Sequence, residues 1–395
     1  YRRQRQMCIR DRYCAADYLI KRIVDPVDVL TLTKCLPVIA PNDTARDELR
    51  GLLGWMAALG NRSVQKSIIE LDAYAVLANG DPSQLERSSK RQLLHRLKEI
   101  EAADPYFRRS DFWRRFSAAG FFTQDVVEEI KPLLTMGNDG HLRDLILELL
   151  ADSPVNSQLV PELSLLTLNP NESEHIRTLA SRCLLNVKEY DFIGALAVLI
   201  FEASNISLNI AAKVIEVTGS EKFNHTYLSG FLRVCANLYP DHKAQFERVV
   251  GTRYFIKKLI SCFSQHTLEL LLDELTHNLH CHCGKKSYEC DCRNGISKIV
   301  GSMVDRYFEL VQAPFDPVRI WQWIGNLNFH HQCQPDQSKS VQVLRENDTL
   351  RQGIIAYVFG PLTDRNEIFN IRVWKFNGHL HTCLLYTSPS PRDTR

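Results

Sequence analysis

The sequence predicts an all-α protein, an alpha-solenoid of short helical hairpins, and three observations carry that prediction. Apolar residues recur at i, i+3, i+4 and i+7 from the first residues to about Gln312, the spacing of a single helix face. Strand-like alternation is almost absent. Arg143 and Arg177 take the same place in successive helix pairs, a period of 34. Helix pairs at periods in the thirties to forties mark units that bury their apolar faces against their neighbours.

Each element has a local reason. Asp43-Thr44 precedes Leu49, Leu52, Leu53, Trp55, Met56 and Leu59, with Gly60-Asn61 as the stop, which predicts a capped amphipathic helix. The run from Ser63 to Leu77 ends at Asn79-Gly80-Asp81-Pro82, and Ser88 or Ser89 is expected to cap 90–102. From Thr123 the helices become short and paired: 126–134 with 142–150, 159–168 with 176–185, then 192–203 with 206–217. Phe192 to Phe201 (FIGALAVLIF) reads as a buried helix, because it is shorter than the roughly 18 apolar residues a membrane span needs. Helices continue over 223–263, 266–279 and 295–311. Pro314, Pro317, Trp321, Trp323 and Gly325-Asn326 mark a change of texture near residue 313.

Both ends stand apart. Residues 1–12 (YRRQRQMCIRDR) and 383–395 (CLLYTSPSPRDTR) resemble translated arms of a sequencing adapter, and a back-translation of 7–12 is the inverted repeat of the codons for 383–387. They are expected to be artefacts. The expected organisation between them is an N-terminal helical region at 13–122, helical repeats at 123–220, a helical region at 221–312 with a Cys-rich insertion at 277–293, and a C-terminal helical subdomain at 313–382.

Setting the ends aside removes seven Arg and two Asp, so the formal charge of +2 becomes −3. A near-neutral chain lacks the electrostatic footprint of nucleic-acid binding, and no polybasic patch addresses a membrane. Neither partner is expected. Of the cysteines, Cys14, Cys35, Cys183, Cys235 and Cys262 stand singly on apolar helical faces, where a free thiol behaves as a small hydrophobe; that usage fits a reducing cytoplasm.

A single constellation has ligand spacing: Cys281, Cys283, Cys290 and Cys292, a C-x-C-x6-C-x-C pattern. Residues two apart on an extended arm share a face, so a hairpin turning at Gly284 to Ser287 presents four sulfurs to one side. Four thiolates make a closed, structural zinc site. The spacing is tighter than the usual C-x2-4-C, and a reduced Cys-rich loop or a disulfide pair are the competing readings. His277, His280 and His282 stand beside it.

Catalytic patterns are wanting. Gly284-Lys285-Lys286-Ser287 lacks the upstream glycine and strand of a phosphate loop. His330-His331-x-Cys333 reads as a loop, and Glu128-Glu129 and Glu70-x-Asp72 as helix-surface carboxylates. The cluster Tyr106, Phe107, Phe112, Trp113, Phe116, Phe121 and Phe122, interleaved with Arg108, Arg109, Arg114 and Arg115, reads as a core stripe with snorkelling arginines. No enzyme activity or nucleotide site is expected in this chain, although an active site around His330, His331 and His379 is a third possibility.

The Asn169-Pro170-Asn171 turn followed by Ile176-Arg177-x-x-Ala180 resembles a HEAT repeat. More broadly, Leu52-Leu53-Gly54-Trp55-Met56-Ala57-Ala58-Leu59, then Gly80-Asp81-Pro82, then Asp104-Pro105-Tyr106-Phe107-Arg108, and finally Trp323-Ile324-Gly325-Asn326-Leu327 are similar to the region C-terminal to the ATPase module of bacterial STAND NTPases of the NACHT type. The resemblance implies a sensor or scaffold that recognises a protein trigger or holds its own ATPase module inactive, in a family linked to phage defence. It transfers no catalytic residue. The competing expectation is a stand-alone HEAT-like scaffold with a structural zinc loop. The exposed binding ridge is expected to include Glu129, Lys131, Arg143 and Arg177.

Overall fold

A computed structural model describes residues 2–108, 116, 118, 120–135, 140–239, 254–277, 279, 292–327 and 338–371, with side chains from Ile9 onward except at 369 and 370. All regular structure among them is helical, as the apolar spacing predicts. It divides into two compact units, Tyr1–Asp191 and Phe192–Arg395.

The first unit contains α1 (Arg2–Val24), α2 (Leu32–Ile39), α3 (Arg50–Leu59), α4 (Arg62–Asn79), α5 (Arg87–Ala103), α6 (Val127–Thr135), α7 (His141–Leu150), α8 (Val160–Leu168) and α9 (Glu174–Leu184). Helix α1 crosses the 12/13 junction and packs on α3, with Ala16 and Ile20 buried and Tyr13 edge-on to Trp55 at 5.3 Å. The α3/α4 hairpin turns where the sequence predicts: Gly60 closes α3, and the Asn61 side chain accepts from the Val64 N–H at 3.2 Å to open α4. A Cβ on Gly54 would lie 2.6 Å from the Gly80 nitrogen, so only glycine permits this approach of α3 to the end of α4. Two caps fall elsewhere than expected. Asp43-Thr44 lie outside α3, which starts at Arg50 without a side-chain cap, and Ser88 and Ser89 lie inside α5, which starts at Arg87.

Beyond α5 the helices stack in two rows. Helix α6 packs on α8, while α5 packs on α7 and α7 on α9; the hairpin partners α8 and α9 join the rows. One continuous core runs from Ala16 through Leu53, Leu97, Ile130, Leu147 and Leu163 to Leu184. Each hairpin covers apolar surface of the one before it, which is why residues of short helices are fully buried.

The second unit repeats the scheme with α10 (Phe192–Glu202), α11 (Asn205–Thr218), α12 (His225–Ala236), α13 (Tyr254–Ser261), α14 (Gln265–Thr276), α15 (Asn294–Leu310), α16 (Pro317–Ile324), α17 (Lys339–Glu346), α18 (Asp348–Phe359) and α19 (Arg365–Asn370). Helices α11, α13, α15 and α17 form one row and α12, α14, α16 and α18 the other. Several of its helices start on side-chain caps. Ser204 and Ser207 form a reciprocal capping box on α11, Asn224 accepts from the Tyr227 N–H at 2.7 Å, and Ser264 accepts from the Thr267 N–H at 3.2 Å.

The reading of α10 as a buried helix is corrected. Only Ala195, Leu196 and Leu199 are buried, whereas Ile193 and Phe201 are 68% and 92% exposed and Val198 is exposed beside them. An apolar run has no amphipathic contrast, so composition cannot say that one face alone meets the neighbouring α11.

Candidate functional site

The two arginines that mark the repeat period are buried rather than on a ridge. Arg143 on α7 is 7% exposed and forks onto Glu172, Nη1 to Oε1 and Nη2 to Oε2, both 3.1 Å. Arg177 on α9 is 1% exposed and its Nε donates to the Thr167 carbonyl at 3.0 Å, at the end of α8. Both bind helix-pair turns. An arginine placed once per repeat on a helix face reads as surface in the sequence, because nothing local shows the carboxylate or carbonyl that receives it. Glu129 and Lys131, expected on an exposed ridge, are half-buried, Glu129 paired with Arg91 at 2.6 Å and Lys131 with Glu128 at 2.7 Å.

Arg108 is likewise not a snorkelling arginine: it is 0% exposed and its Nη2 donates to Glu148 Oε2 at 3.1 Å. Around it, the described aromatics form core as the sequence predicts. Phe121 and Phe122 are buried edge-on to each other at 5.1 Å, and Phe107 and Phe116 pack edge-on to Tyr74. Tyr106 differs, lying exposed against His141 at 5.2 Å. Phe112, Trp113, Arg109, Arg114 and Arg115 lie outside the described residues.

Beside Arg108 opens a cleft of ≈ 440 Å³ within the first unit. One wall comes from the end of α7 and the turn after it, with Glu148, Leu149, Asp152, Ser153 and Pro154. The opposite wall is α9, through His175, Leu179 and Arg182, and the floor is Phe116, Ala118, Gly120 and Phe122. The segment carrying the floor is held from below: Lys90 on α5, itself buried, donates to the Gly120 carbonyl at 3.1 Å and to Thr123 Oγ1 at 3.3 Å. Burial pushes the Lys90 amine below its ordinary value, and Asp125 and Asp81 partly offset that.

Asp144, Glu148 and Asp152 follow each other at four-residue spacing, so one face of α7 and its extension is a ladder of carboxylates. Each rung meets a different segment. Asp144 lies 4.0 Å from His175 Nε2, Glu148 takes the Arg108 bond, and Asp152 accepts from Asn186 Nδ2 at 3.4 Å. Burial pushes the Asp144 carboxyl above the ordinary range; His175 pulls it back, Glu148 adds to the rise, and His141 and Arg143 oppose it. Below the cleft Asn156, almost wholly buried, donates to the carbonyls of Leu150 at 2.8 Å and Cys183 at 3.2 Å, tying the α7 end to the α9 end.

The second unit holds a polar pocket between α14 and α16. Arg319 donates to Asp273 Oδ2 at 2.8 Å and to Glu269 Oε2 at 2.7 Å, lies 5.2 Å over the Trp323 ring, and Trp323 Nε1 donates to Asp273 Oδ1 at 2.6 Å. These carboxylates are already spoken for. The network is a staple between two packed helices, and it raises the Arg319 pKa first through the Asp273 hydrogen bond.

The predicted zinc ligands Cys281, Cys283 and Cys290 lie outside the described residues, as do His280, His282, His330, His331, Cys333 and His379. Cys292 is described and exposed. The ends of that segment come close together: His277 and Asn326 line the same pocket, and Arg293 Nη1 donates to the Asn326 carbonyl at 2.7 Å. Among the described residues no group of three or more His, Cys, Asp or Glu is placed to hold a metal. Of the single cysteines, Cys35, Cys183 and Cys235 are buried as expected, with burial pushing the Cys183 thiol up to about 12; Cys14 and Cys262 are exposed. No described helix is long and apolar enough to cross a membrane.

Fold and cleft together define a protein of stacked helical hairpins. No protein-family model matches the chain, and no curated protein or solved structure is significantly similar to it.

Proposed function

We propose that this chain is a non-catalytic sensor or scaffold segment of a larger bacterial NACHT/STAND-type ATPase, acting by binding a protein partner or by restraining its own ATPase module in defence against phage. The ATPase context rests on the resemblance of 52–59, 80–82, 104–108 and 323–327. The observation that carries the binding role is the cleft of the first unit, an apolar floor between charged walls to which the packed helices α7 and α9 contribute. Rigid elements preset the geometry a partner meets.

The parent reading frame tests the proposal. A phosphate-loop sequence encoded upstream, together with ATP hydrolysis that rises when residues 13–382 are removed, is the expected result. A complete parent without such a loop removes the ATPase and leaves the stand-alone scaffold.

Within that role the Cys281, Cys283, Cys290 and Cys292 loop binds one structural zinc. The convergence of its ends near Asn326 supports this, since four sulfurs meet only if both arms start close together. Elemental analysis of purified protein is expected to find one zinc per chain, lost in Cys281→Ser/Cys283→Ser. Metal-free protein with the same melting temperature as that double variant excludes the site.

A further inference from the structure

We draw no further inference here: the strongest candidate, the uncovered apolar face of α10 in the second unit formed by Ile193, Val198 and Phe201, carries nothing because nothing in the structure shows what covers it.

Discussion

At the scale of residues, burial decides which charges matter. Arg108, Arg143 and Arg177 are among the least exposed polar side chains in the first unit, and each reaches a carboxylate or carbonyl from a neighbouring segment. Asp144 is the opposite case, a carboxyl whose surroundings resist its charge. The folded chain holds that proton to higher pH than the unfolded chain does. Asp144 therefore contributes stability below the ordinary carboxylate value, and the contribution is lost as pH rises through the raised one. Asp144→Asn removes the penalty, so the variant is expected to melt above wild type at pH 7, with the gap closing below pH ~4. Equal melting temperatures at pH 7 would show that His175 and Arg143 already compensate the charge.

At the scale of elements, a helix is described by which face it buries. Helix α10 buries Ala195, Leu196 and Leu199 and leaves Ile193, Val198 and Phe201 outside. Phe201→Ser is expected to change stability by no more than ~0.5 kcal/mol, whereas Leu196→Ala is expected to cost ~2–5 kcal/mol. Chemical denaturation of the two variants checks this, and a large loss for Phe201→Ser would mean that the ring is covered in solution. The limits of the repeat helices α6 to α11 were legible in the sequence to within a residue or two, since apolar period and local turns act over a few residues, whereas α12 and α13 were legible only as one helical stretch, 223–263. The caps of α3 and α5 were not. Asp43-Thr44 and Ser88-Ser89 have the right chemistry, but the helix starts there are set by packing against α1 and α4.

At the scale of the molecule, each unit has its own densely buried interior. The core from Ala16 to Leu184 lies wholly within the first unit, and Leu271, Leu272, Ile299 and Val304 are fully buried in the second. Leu272→Ala is expected to destabilise the second unit by ~2–5 kcal/mol, read as faster amide exchange in α14 and α15, while the amides of α4 keep their protection. Uniform loss of protection in both units would mean that they unfold as one.

The sequence by itself determined the helical class, the hairpin period and the ends of the repeat helices α6 to α11, because these depend on spacing along a single chain. Only the tertiary structure decided that the periodic arginines turn inward, that one face of α10 remains uncovered, and that Glu148 and Asp152 share a cleft with Phe116 and Arg182. Those outcomes depend on what lies across the packed helix, 30 or more residues away in several cases, and no local pattern records it.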